Sequence, residues 1–194
     1  MRRVAVLNRA MTGLKFAVAP TPLGAMGILW GDAGIAQTWL HAGTVERARA
    51  QIRGACPGAA EATPPAGVAA ALEDVAALLD GQPRSLSSAA LDMAAIPDFD
   101  RRVYEVARTI PPGSTMTYGE IAGALGEEPM RARDVGVALA RNPFAPIVPC
   151  HRVVAAGGKL GGYSAPGGTA TKRRLLEIEG AAVVAPPLQA GLFD

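Results

Sequence analysis

Cysteine and histidine are nearly missing from this 194-residue chain: Cys56, Cys150, His41 and His151 are all it has. Two cysteines cannot build the disulfide framework of a small exported domain. Nothing at structural-zinc spacing is present either, so no metal and no other cofactor is expected. Aromatic residues make up 5% and charged residues 19%, against 49% hydrophobic. That balance excludes intrinsic disorder and leaves ample apolar material to bury. Long apolar runs are missing too. Residues 4–7, after Arg2 and Arg3, are cut off by Asn8 and Arg9, too short for an export signal. Residues 16–31 carry Pro20, Pro22 and several glycines and fall short of a bilayer span. No membrane segment is expected, and a reducing cytoplasm is the expected location.

Charge of one sign is not in excess. The formal net charge is +2, with eight basic and seven acidic residues in 1–96 and eleven and ten in 97–194. Locally the balance changes: residues 129–174 hold Arg131, Arg133, Arg141, Arg152, Lys159, Lys172, Arg173 and Arg174 against one acid, Asp134. Such a cluster reads either as a patch for a polyanion or as a solvated surface that happens to be basic.

The pattern along the chain predicts an α+β fold. Residues 14–19 and 25–30 read as strands, Gly31 to Gly34 as a turn, and 35–40 as a third strand. Thr44 caps a helix with Val45, Ala48 and Ile52 on one face, and Glu46 suits its dipole. Residues 57–67 read as a loop and 68–79 as a helix stopped by Gly81 and Pro83. Cys56, beside Pro57, reads as a spare thiol. After a connection over 82–98, the spacing of Phe99, Val103, Val106 and Ala107 predicts a helix ended by Pro111, Pro112 and Gly113. Thr117 and Glu120 form a capping box for a short helix with Tyr118, Ile121, Ala122 and Leu125. Pro129 fits the first position of the next helix, predicted to run to about Arg141. Two short helices about a Gly126 turn suggest helix-turn-helix. The second interleaves small Ala132, Gly136 and Ala140 with Arg131, Arg133 and Arg141, which suits either close approach to DNA or an amphipathic core helix.

An apolar run over 144–148 delivers the chain to Pro149, Cys150, His151, Arg152 and Val153. A thiol becomes a strong nucleophile only when ionised, and an adjacent imidazole suits that chemistry. Neighbouring side chains often diverge, so a relay between them calls for a bridging water. Taken alone, the pair also reads as a structural Cys beside a satisfied His.

The wider context resembles one family, the methylated-DNA–protein-cysteine methyltransferases. Asn142-Pro143 with Ile147 to Val154 is similar to its active-site signature, Thr117 to Ala122 to its first helix-turn-helix segment, Arg133 with Val135-Gly136 to its recognition helix, and Leu175-Leu176 with Glu179-Gly180 to its closing helix. The resemblance covers residues 99–181, with a weaker match around Thr21 to Gly24. It implies a ribonuclease H-like α/β domain over 1–92, a DNA-binding and alkyl-acceptor domain over 93–181 and a tail over 182–194. It implies a monomer acting on double-stranded DNA, at the nucleoid, on an alkylated guanine flipped from the stack. By the same resemblance Cys150 accepts the alkyl group irreversibly and once, His151 is its base through water, and Glu179 holds His151. Asn142 ties the active-site turn to the recognition helix. Tyr118 helps rotate the nucleotide and protonates the departing guanine, and Arg133 fills its place in the stack. Arg131, Ala132, Gly136 and Arg141 meet DNA, and Pro149, Val153, Tyr163 and Ser164 line the lesion pocket.

Two departures stand out. Asp134 puts a negative charge where the family has a small apolar residue, predicting weaker phosphate contacts. The loop from Gly162 to Gly168 is longer before Lys172 than in the relatives. In the tail, Gln189-Ala190-Gly191-Leu192-Phe193 resembles the Gln-x-x-Leu-Phe peptides that bind bacterial sliding clamps; the alternative is an uninvolved terminus. Three other readings compete: an alkyltransferase-like lesion binder lacking the acceptor thiol, a helix-turn-helix regulator, and a cysteine hydrolase.

Overall fold

A computed structural model describes residues 13–40 and 43–182. His41, the run at 4–7 and the clamp-like peptide lie outside them. Strands β1 (Lys15–Thr21), β2 (Gly24–Gly31) and β3 (Gly34–Trp39) form an antiparallel meander. After α1 (Val45–Ala55) the two-residue β4 (Ala60–Glu61) adds to β1 in parallel, giving the order β3-β2-β1-β4. The segment expected to be all loop thus holds a strand too short to show any periodicity. Helix α2 (Ala66–Leu79) begins two residues before its predicted start.

Period-two alternation sorts the sheet's side chains onto two covered faces. Phe16 and Leu29 pack with Ile52 of α1, and Ala25 packs with Ala48. Gly27 lets α1 approach this face, because a Cβ there would lie 2.6 Å from Ile52 Cδ1. Met26, Ile28 and Trp30 point the other way into the main core, with Val68, Leu72 and Val75 of α2. That same core runs on through Val103, Tyr104, Phe144, Ile147 and Cys150. Each such aliphatic or aromatic side chain contributes about 1.5–3 kcal/mol when fully buried.

The second half is helical. Helix α3 (Asp98–Arg108) is followed by β5 (Met116–Thr117), α4 (Tyr118–Ala124), a 3₁₀ turn over Pro129–Arg131 and α5 (Ala132–Ala140). The helix expected from Pro129 therefore starts as a 3₁₀ turn. The predicted capping box is present: Thr117 Oγ1 accepts from Glu120 N–H at 3.1 Å, and Glu120 Oε2 accepts from Thr117 N–H at 2.6 Å. Arg102, Glu127, Arg131 and Asp134 form a chain of ion pairs that pins the turn between α4 and α5 against α3. Beyond it, a 3₁₀ turn over Cys150–Arg152 leads into β6 (Val153–Val154), which pairs in parallel with β5, and α6 (Gly168–Ile178) is the last element among the described residues. The β5–β6 pairing, invisible in sequence, ties the start of the helix-turn-helix to the strand that follows Cys150.

Candidate active site

Cys150 lies at the start of its 3₁₀ turn and opens on a cavity of about 500 Å³. The wall is made by Tyr118, by Ala132, Arg133, Gly136, Leu139 and Ala140 of α5, and by Gly162, Tyr163 and Ser164. Ala132, Gly136 and Ala140 carry little or no side chain, so α5 leaves room on that side. Gly161, with φ +66°, lets the Tyr118 ring lie close: a Cβ there would be 3.1 Å from its hydroxyl. Tyr163 and Ser164 share this cavity with Cys150. Pro149 and Val153 do not line this cavity: Pro149 faces a separate cleft beside Ile110 and Arg152, and the side chain of Val153 is wholly buried.

Behind the thiol, His151 is sealed from solvent, and its Nε2 is 2.9 Å from Glu179 Oε1. Arg152 donates to both carboxylate oxygens, Nε to Oε2 at 2.8 Å and an Nη to Oε1 at 2.9 Å, and its other Nη reaches the Ile110 carbonyl at 2.6 Å. Burial by itself would raise the Glu179 carboxyl, but hydrogen bonds from His151 and Arg152 outweigh it and hold the group at a pKa of about 2. Burial lowers the His151 imidazole and favours its neutral form, against an opposing pull from Glu179. A carboxylate accepts only, so Nε2 carries the ring proton. Nδ1 is then an acceptor, buried and with no hydrogen-bond partner among the described residues.

Asn142, fully buried, holds the approach to Cys150: its Nδ2 donates to the Val148 carbonyl at 2.8 Å, and its Oδ1 accepts from Phe144 N–H at 2.9 Å. It lies just past Arg141, the C-cap of α5, so its two bonds connect the end of that helix to the segment before Cys150.

Lys172 was missed by sequence reasoning. It is completely buried, donates to the carbonyls of Val153 (2.5 Å) and Gly162 (3.2 Å), and lies 5.7 Å from the Tyr118 ring centre. Burial lowers its pKa to about 8, while negative charge on Cys150 works the other way. The Tyr118 phenol is raised by burial and by charge on Cys150, so it stays a proton donor at neutral pH. The one signal of Lys172 visible in sequence is position: a basic residue on the buried face of α6, where Leu175 and Leu176 also point.

The arginines of the helix-turn-helix separate into two kinds. Arg131 binds Asp134 at 2.6 Å and Glu127 at 3.5 Å, and Arg141 binds the buried Asp100 at 2.7 Å. Arg133 has no ion-pair partner among the described residues, and it faces the cavity. Asp134 is thus spent on Arg131. Among the described residues no cluster of three or more His, Cys, Asp or Glu is arranged to hold a metal ion, and no helix is long and apolar enough to cross a membrane.

The profile described as "6-O-methylguanine DNA methyltransferase, DNA binding domain" matches residues 98–181. The methylated-DNA–protein-cysteine methyltransferase of Methanothermobacter thermautotrophicus is 36% identical over 159 residues, 82% of this chain and 81% of that protein. The Mycobacterium bovis protein of the same name is 50% identical over 97 residues, half of this chain and 55% of its own length. The crystal structure of Mycobacterium tuberculosis O6-methylguanine methyltransferase superposes with a TM-score of 0.66 at 32% identity, covering 86% of this chain and 93% of that one. A structure of the same enzyme in complex with DNA gives 0.64 at 32% identity, covering 85% and 92%. With the thiol, its cavity and the supporting carboxylate in place, this chain belongs to the methylated-DNA–protein-cysteine methyltransferases.

Proposed function

We infer that this chain repairs DNA by direct reversal, moving the alkyl group of an O6-alkylguanine onto Cys150 in a single turnover. The observation that carries the reading is one thiol opening on a cavity fit for a base, with the buried His151–Glu179–Arg152 cluster behind it. A solved relative in complex with DNA supports DNA as the partner, and we propose that the duplex form is the one bound.

In this reading His151 Nδ1 takes the thiol proton through a bridging water, and the imidazolium that forms is held by Glu179. The sulfur attacks the alkyl carbon, a C–S bond forms, and the C–O6 bond breaks. Tyr118 donates its phenolic proton to the departing guanine, and the buried Lys172 ammonium lowers the cost of negative charge there. Displacement needs the base out of the stack, within the cavity, with Arg133 entering the space it leaves. Ala132, Gly136 and Ala140 admit the DNA backbone closely, while Arg131 and Arg141 add less, their charges being already answered. Val153 and Pro149 act through backbone groups and turn shape. The thioether product has no hydrolytic route, so the protein is consumed.

We further assign residues 1–92 and 93–181 as the two domains, a monomer as the acting form in the cytoplasm at the nucleoid, and the peptide at Gln189 to Phe193 to clamp binding, which truncation at Pro187 would remove. An alkyltransferase-like lesion binder lacks an acceptor thiol, and a regulator gives no reason for Cys150, His151 and Glu179 together. The test is to mix the protein with duplex containing O6-methylguanine and follow intact mass: one methyl per chain is expected, and uptake stops at one equivalent. No mass gain, or continued turnover, would overturn the reading.

A further inference from the structure

The apolar segment that leads to Cys150 is held from two sides, and only one of them belongs to the helical half. Asn142 holds it from α5. From the other side it is held by the N-terminal sheet. Strand β3 is an edge strand, and an edge strand carries outward N–H and C=O groups that must find partners. On β3 they are taken up by two distant pieces of chain. Ile35 N–H donates to the Ala90 carbonyl at 2.9 Å and Asp92 N–H donates to the Ile35 carbonyl at 2.8 Å, so the connection after α2 covers the first half of the edge. Over the second half lies the active-site segment. Thr38 N–H donates to the Pro143 carbonyl at 2.9 Å, and Thr38 Oγ1 is 3.2 Å from that oxygen and 2.6 Å from the Ala145 carbonyl.

These bonds span more than a hundred residues of sequence, and Thr38 is 1% exposed. Water therefore does not compete for them, and each carbonyl left without its donor would carry a desolvation cost. The segment they fix is short: Val148 N–H donates to the Phe144 carbonyl and Cys150 N–H to the Val148 carbonyl, so displacement at Ala145 passes down a hydrogen-bonded run to the thiol. In-line displacement at carbon is sensitive to sub-ångström placement of the nucleophile.

We propose that Thr38 is a positioning residue for Cys150, and that the edge of the N-terminal sheet is a working part of the alkyl acceptor, not a separate support. The proposal rests on Cys150 being the acceptor, as argued above. Thr38→Val keeps the volume and the backbone bond and removes the hydroxyl; Thr38→Ser keeps the hydroxyl. With full-length protein and saturating duplex containing O6-methylguanine, the single-turnover transfer rate of Thr38→Val is expected to fall about tenfold, with the Kd for undamaged duplex unchanged and the rate restored in Thr38→Ser.

The native protein run alongside separates the two claims. Methyl uptake by native chain with a Thr38→Val rate within twofold of it overturns the positioning role and leaves the function intact. So does a rate loss in Thr38→Val that Thr38→Ser shares, or one accompanied by an equal loss of DNA affinity. No uptake by native chain overturns both.

Discussion

The chain's two cysteines are nearly equal in burial, Cys56 at 3% exposure and Cys150 at 6%, and unlike in every other respect. Cys56 ends α1 inside a small apolar cluster with Phe16, Leu29 and Ile52, and burial pushes its thiol up. Cys150 is just as well packed from behind but meets open volume in front, with the Lys172 ammonium and the Tyr118 phenol electrostatically coupled to it. Exposure therefore does not distinguish a nucleophile from a core atom in this protein. What distinguishes them is a cavity on one side and charge arranged in advance on the other.

The largest effect available is to exchange their roles. Cys150→Ala is expected to abolish methyl uptake from damaged duplex altogether, and Cys56→Ala to leave both rate and stoichiometry within twofold of native. Intact mass followed by peptide mapping checks both, and methyl found on Cys56 would erase the distinction.

Next in size is the group that keeps His151 a base. Glu179→Gln is expected to slow transfer by about 10²–10⁴, the usual contribution of a positioned base, with DNA affinity unchanged. The same substitution has a signature in stability. The Glu179 pKa is lowered from 4.5 to about 2, so the native chain binds fewer protons than the unfolded chain between those values. Its contribution is complete above pH 4.5 and is lost as pH falls toward 2. Urea unfolding of the native protein should show that acid loss, and Glu179→Gln should lack its share of it while being less stable at pH 7, because Arg152 is left buried without its carboxylate.

How much of this contrast could be read from residues alone depends on the range of each interaction. The Thr117–Glu120 box, the Thr44 cap and the β1–β3 meander are local, and their residue types announce them. Cys150, His151, Glu179 and Asn142 were legible through resemblance, since nothing in spacing says that residues 28 apart will meet at 2.9 Å. Lys172 and Arg152 belong to a run of basic residues that composition alone reads as a patch or as a solvated surface; the fold buries both, because each finds acceptors that only tertiary structure brings near. Arg131 with Asp134 was an i,i+3 pair in plain view, whereas Arg141 with Asp100 spans 41 residues and was not. Strands of two residues, β4, β5 and β6, carry no period to detect.

Lys172 offers a smaller test of the charge around Cys150. Its pKa is lowered from 10.5 to about 8, so between those values the unfolded chain holds a proton that the native chain has released. Stability should therefore rise with pH across that window, by at most about 1.4 kcal/mol per pH unit from this group. Lys172→Met should flatten the rise, a difference that chemical denaturation at pH 8, 9 and 10 resolves. A rise unchanged in the variant would assign it to other groups and remove Lys172 from the account of the site.

The arginines repeat the lesson of the cysteines at lower stakes. Arg131, Arg133 and Arg141 look equivalent in sequence, yet among the described residues two are answered by carboxylates and Arg133 is not. A cation already neutralised releases little counterion when it meets a phosphate, so the three should differ in salt dependence more than in affinity at one salt. Arg133→Ala is expected to reduce the slope of log K against log salt by up to about 0.9, because an unpaired cation carried into the stack displaces about one condensed counterion although it meets no phosphate directly. Arg131→Ala and Arg141→Ala should each reduce it by clearly less. Equal slopes for all three variants would mean that the ion pairs open on DNA, and that the charge seen on the unbound surface does not govern the bound one.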